Sequence, residues 1–309
     1  MRHHLSSPFN ASANLFAGEA VMFDDLGELR SMLASSPPST ELFEELAAHI
    51  DFFQPADTQQ LRHLDYVAAI VRRWPPHIDR PVPEMAFIAG SSQGAEQEAC
   101  SPFLTLCNTL RLDSIPATEE QSAVALCRHP HLSHVDRVRL IEPHPSTDLV
   151  KDVIPVLPAS IRQIDLSNTH ATEFFSHLLE VPLFDRIEVL DLEHANLQGA
   201  TFEPWTRRME RHASSLKYLY LQGAENVLQE EHLLTWLRQD MLPSLEELDL
   251  RHHALSDAFY RELAHTTSLP RLKWVHVSPY LVSTSARTLL ASSDTLPPSF
   301  TRYWRSRCH

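Results

Sequence analysis

The sequence predicts an α/β protein in which a strand-and-helix unit recurs about seven times behind a helical N-terminal region. Three observations carry this reading. A strand pattern returns seven times between Cys107 and about Ala291, the intervening segments have helical caps and spacing, and apolar residues ahead of the first copy recur at three- and four-residue intervals. The clearest copies read Ile161-Arg-Gln-Ile164-Asp-Leu166, Ile187-Glu-Val-Leu190-Asp-Leu192, Leu216-Lys-Tyr-Leu219-Tyr-Leu221 and Leu245-Glu-Glu-Leu248-Asp-Leu250. Weaker copies begin at Cys107, Val135 and Leu272. Their fourth residues are Leu110, Val138, Ile164, Leu190, Leu219, Leu248 and Val275, spaced 28, 26, 26, 29, 29 and 27 residues apart.

Residues 1–20 are polar and without periodicity, and read as a flexible tail. Residues 21–102 form the helical N-terminal region, placed to cap the first unit. There Pro37-Pro38-Ser39-Thr40 introduces a helix over Glu41–Ile50, with Ser39 or Thr40 as its N-cap. Asp57 and Gln60 resemble a capping box opening a second helix, whose apolar stripe is Leu61, Leu64, Ala68 and Val71. Pro75-Pro76 ends it, because proline lacks the amide hydrogen and restricts the residue before it. A short apolar run, Met85–Ala89, then leads into a turn of glycine and serine.

The repeated units occupy residues 103–292. Period-two alternation turns positions 4 and 6 of each strand inward and positions 3, 5 and 7 to the opposite face. The return segments are helical. Thr118 caps Glu119–Arg128, Pro204 opens Trp205–His212, and Glu230–Arg238 and Asp257–Ala264 continue the series. Helices are wider than the roughly 4.8 Å between strands, so such a stack curves with its strands on the concave side. An open stack exposes core at both ends. Residues 293–309, with Phe300, Tyr303 and Trp304 at i, i+3 and i+4, supply a C-terminal cap.

This pattern resembles the leucine-rich-repeat family, in particular its longer, helix-containing repeats of the ribonuclease-inhibitor type. The resemblance implies a curved solenoid over about 103–292 that recognises its partner by an extended surface. One departure stands out. The family places Asn or Cys at the ninth position, whereas this chain has Ile115, Pro143, Thr169, Ala195, Ala224, His253 and Tyr280 there. The turns must therefore be supported in another way. The N-terminal region is loosely similar to helical segments that precede such repeats in bacterial proteins.

Composition narrows the function. Apolar residues make up 43% of the chain, and no run approaches the roughly 18 apolar residues of a membrane span. The N-terminus lacks the apolar stretch of a signal peptide. The four cysteines, Cys100, Cys107, Cys127 and Cys308, show no paired spacing, as expected of reduced thiols in a cytoplasmic protein. A net charge of −14 weighs against nucleic acid or anionic membrane as partners. With only six glycines and no phosphate-loop fingerprint, the sequence calls for no cofactor.

Three constellations have residue types suited to chemistry or binding. Gly90-Ser91-Ser92-Gln93-Gly94 matches the nucleophile elbow of serine hydrolases, but its upstream chain reads as helical and its downstream chain as repeats. Cys127, His129, His131 and His134 are dense in metal-ligand types, yet lack paired spacing and fall in an ordinary helix-to-strand passage. The concave face is the better candidate. Its first two units are basic, with Arg111, Arg137 and Arg139, and the later five combine acids with aromatics. Asp165, Asp191, Tyr218, Tyr220, Glu247, Asp249, Trp274 and His276 are the expected partner-binding residues. The expected function is non-catalytic recognition of a protein carrying a basic segment, by a monomer or a subunit of a hetero-complex. A serine hydrolase using Ser92 and a purely structural subunit are the alternatives.

Overall fold

Seven three-residue strands pair side by side, all parallel and in chain order: β1 (Thr109–Arg111), β2 (Arg137–Arg139), β3 (Gln163–Asp165), β4 (Val189–Asp191), β5 (Tyr218–Tyr220), β6 (Glu247–Asp249) and β7 (Trp274–His276). The computed structural model describes residues 26–51, 66–75, 77–82, 104–112, 120–140, 147–197, 202–211, 215–224 and 229–307. The chain divides into two compact units after Pro37. The first contains helix α1 (Leu26–Ser35), in which Leu29 is buried. The second opens with α2 (Thr40–Asp51), capped by the Ser39 hydroxyl, which accepts the Leu42 amide hydrogen at 3.1 Å. A further helical stretch covers residues 66–71. The capping box at Asp57 lies outside the described residues, with Leu61 and Leu64 of that stripe, as do Met85–Ala89, Thr118, Cys100, Cys308 and the Ser92 motif.

Each strand is followed by a return helix: α3 (Glu120–Cys127), α4 (Thr147–Val153), α5 (Thr172–Glu180), α6 (Phe202–Arg211), α7 (Glu230–Arg238), α8 (Asp257–His265) and α9 (Thr284–Ser292). The register is the one the sequence pattern demands. Leu110, Val138, Ile164, Leu190, Leu219, Leu248 and Val275 are successive partners across the sheet. All seven are buried, as are the residues two places later, from Leu112 to Val277. Removing this apolar surface from water fixes which face of the sheet points inward, because a one-residue slip would turn every such side chain outward. The helix layer adds a run of aromatic contacts. Trp205 meets Phe175 at 5.2 Å and Trp236 at 4.9 Å, edge to face in both cases. Helix α6 begins at Phe202 rather than Trp205. Pro204 falls in its first turn, where the missing amide hydrogen would have had no helical partner.

The turns after the strands reveal what replaces the absent Asn or Cys. The eighth residue of four consecutive units, Asn168, His194, Gly223 and His252, is left-handed, with φ of 55°, 53°, 66° and 68°. That conformation reverses the chain just beyond the strand. The amides of Asn168, His194 and Gly223 then donate to carbonyls of the next unit, at Glu193, Gln222 and Arg251. His252 donates to the Ser278 hydroxyl instead. Glycine is required at 223 for a second reason: a Cβ there would lie 2.1 Å from Nδ1 of His194. The ninth residues Thr169, Ala195, Ala224 and His253 are buried beneath these turns, while Tyr280 is 69% exposed.

A second file runs along the start of the strands. Asp136, Arg162, Glu188, Lys217, Glu246 and Lys273 occupy the second position of successive units and alternate strictly in charge. Each backbone amide from Arg162 onward donates to the carbonyl of the residue before it in the file, at 2.7–2.8 Å. Two ion pairs form along it, Lys217 with Glu188 at 2.7 Å and Lys273 with Glu246 at 2.5 Å. Both edges of the sheet are covered. Beside β1, Pro81 bridges Thr109 in parallel, and the Asn108 side chain accepts from the Arg80 amide at 2.7 Å. Beside β7 stands helix α10 (Pro298–Arg305), which buries Phe300 and Trp304.

Candidate functional site

Pleating sends the first and last residues of every three-residue strand, the third and fifth positions of each unit, to the face opposite the helices, where they form two adjacent rows. One row runs Gln163, Val189, Tyr218, Glu247 and Trp274; the other runs Asp165, Asp191, Tyr220, Asp249 and His276. The eight expected residues therefore share one face. Apart from Asp249, which is 1% exposed, all are intermediate between buried and exposed.

They divide into two sets. At the β6–β7 end the functional groups are satisfied internally. Asp249 is held by the Arg251 guanidinium, with contacts of 2.6–3.0 Å. Glu247 meets Nε2 of His276 at 2.9 Å. Trp274 packs edge to face against Phe300 at 5.8 Å and Tyr303 at 6.1 Å, both on α10. Here the aromatic surface serves the C-terminal helix.

At the β2–β5 end the surface is hollow. The short Val189 side chain lies between Gln163 and Tyr218 in its row. A recess of about 360 Å³ opens there, lined also by Arg137, Asp165, Asp191 and Tyr220. The basic residues of the first units are largely neutralised. Arg111 pairs with Glu44 of α2 at 2.7 Å, Arg137 pairs with Asp79, and Arg139 reaches Asp79 at 3.4 Å and Asp165 at 3.1 Å. Neither Glu44 nor Asp79 was singled out from the sequence. No spacing rule links Asp79 to an arginine 58 positions later.

Asp191 is the exception. Among the described residues no Lys, Arg or His forms an ion pair with it. Its Oδ1 accepts the Glu193 amide hydrogen at 2.9 Å, as Asp165 and Asp249 accept those of Ser167 and Arg251. The aspartates at this position thus also brace the turns. Burial pushes the Asp191 carboxyl up from 3.8 to about 6, with the Asp165 and Glu193 carboxylates adding to the rise. The same surroundings, burial foremost, push the Tyr220 phenol up to about 12.

A carboxyl that ionises near 3.8 unfolded but near 6 folded holds its proton more tightly in the native state. The stability this contributes is complete below pH 3.8 and is lost as pH climbs through 6. Asp191→Asn keeps an oxygen for the Glu193 amide and removes the charge. We expect it to be more stable than the parent by roughly 1–3 kcal/mol at neutral pH and equal to it near pH 4. Urea denaturation at the two pH values measures this, and a destabilised variant at neutral pH would refute it.

The other sequence constellations show ordinary packing. His129 Nδ1 accepts the His131 amide hydrogen at 3.3 Å, and burial pushes the Cys127 thiol up to about 12. Among the described residues no group of three or more His, Cys, Asp or Glu is disposed to hold a metal ion. Among them, too, no helix is long and apolar enough to cross a membrane. No protein-family model matches the chain, and no curated protein is significantly similar to it.

Proposed function

We propose that this chain is a leucine-rich-repeat solenoid that acts without catalysis of its own, binding a protein segment that carries Lys or Arg on the strand face. The observation that carries this reading is the pair Tyr218 and Tyr220. They stand two residues apart on β5, partly exposed, beside a recess in which Asp191 forms no ion pair among the described residues. Aromatic rings next to unpaired carboxylate are suited to cationic side chains, which gain from ring faces and charge together. The strand register and the 26–29 residue period support the repeat assignment. The cytoplasm is the compartment that fits buried, unbridged Cys107 and Cys127.

A photo-crosslinking phenylalanine derivative placed at Tyr220, and separately at exposed Glu231 on α7, tests the surface. In its native cytoplasm the protein is expected to give a discrete adduct from position 220 and none from 231. The same adduct from both positions, or none from 220, would overturn the reading.

A further inference from the structure

The strand face does not offer its charges evenly. Of its carboxylates, Asp249 is held by Arg251, Glu247 by His276 and Asp165 by Arg139. Around the recess the guanidiniums of Arg137 and Arg139 face the carboxylates of Asp79, Asp165 and Asp191. Those guanidiniums are paired with Asp79 and Asp165, whereas Asp191 forms no ion pair among the described residues and the Glu193 carboxylate in its own turn adds further negative charge. Tyr218 and Tyr220 form the neighbouring wall, and Tyr218 is oriented by a 3.5 Å contact from its hydroxyl to Glu246.

Building on the proposal that this face binds a protein, we infer that the recess is the anchor point for one arginine side chain of the partner, its guanidinium between the Tyr218–Tyr220 wall and the Asp191 carboxylate. The volume and the wall favour arginine over lysine. A recess of about 360 Å³ accommodates a planar guanidinium with its stem. That plane lies against an aromatic ring while its edge donates to carboxylates on adjacent strands, about 4.8 Å apart. An ammonium is compact and strongly hydrated, and leaves such a wall unused. The site also carries a proton linkage. Asp191 is faced by Arg137 and Arg139 from β2, Asp165 from β3, Tyr218 and Tyr220 from β5, and Glu193 from its own turn. A guanidinium binds the ionised form, so affinity rises with pH until Asp191 is fully deprotonated.

Full-length protein carrying ring-labelled tyrosine can be titrated with N-acetyl-arginine methylamide and followed by NMR. The Tyr218 and Tyr220 signals are expected to shift saturably at pH 7.5. Affinity should fall about tenfold at pH 5, where a carboxyl titrating near 6 is only about one-tenth ionised. The neutral citrulline analogue, and Asp191→Asn protein with the arginine probe, should each bind at least about tenfold more weakly. Equal binding of the citrulline or lysine analogue, or an unaffected Asp191→Asn variant, would overturn the assignment. Failure here with an intact crosslink from position 220 would remove the arginine anchor alone. Loss of the crosslink with a retained arginine response would remove the protein-binding reading and leave the recess as a guanidinium site.

Discussion

Replacing Trp205 with alanine is expected to lower stability by about 3–5 kcal/mol. The indole is fully buried on α6 and touches rings on both neighbouring helices, Phe175 on α5 and Trp236 on α7. Truncation removes a large transfer free energy. It also leaves a cavity that α5 and α7 can close only by moving, and each is tied to its own strand. The two edge-to-face contacts add about 0.5–1.5 kcal/mol each beyond area. Trp205→Phe keeps a ring and should recover much of the loss. Stability of a typical domain is only about 5–15 kcal/mol, so the alanine variant should unfold at markedly lower urea. A loss below about 1 kcal/mol would mean that the helix layer does not hold the units together.

Deleting residues 296–309 is expected to have an effect at least as large, and to add aggregation. The deleted segment buries Leu296, Phe300 and Trp304, and the Arg305 side chain donates to the Ala291 carbonyl at 2.7 Å. Loss of Phe300 or Trp304 alone would cost about 3–5 kcal/mol. Without α10, Trp274 and the end of the core meet water as a contiguous apolar patch. A lower melting temperature together with light scattering at micromolar protein is the expected outcome. Unchanged melting and a monodisperse sample would contradict it. For the same reason Trp274→Ala should report on stability more than on partner binding.

Much of the fold was legible because a buried parallel strand needs branched apolar side chains at fixed positions, and this chain supplies them seven times. Leu190 and Leu219 could be paired on paper, and they are partners across β4 and β5. The turns were less legible. Their left-handed residues include two histidines, His194 and His252, a weaker signal for that conformation than Gly223 or Asn168. The candidate site was half legible. Alternation placed Tyr218, Tyr220 and Asp191 on one face, but which acids were already spoken for depended on contacts distant in the chain. Asp79 reaches β2 from the N-terminal region, and α10 reaches back to Trp274. Arg251, only two residues from Asp249, continues the outward alternation and was the one partner within reach of a local rule.

The alternating file from Asp136 to Lys273 gives the stack a parity. A single unit inserted between two of these would set two like charges side by side on neighbouring strands, whichever sign the newcomer carried, at a spacing where like charges repel. Inserting two units of opposite sign restores the order. Growth or shrinkage of such a stack is therefore easiest in doublets. The true building block of this protein, in electrostatic terms, is about 55 residues long, two strand-and-helix units rather than one.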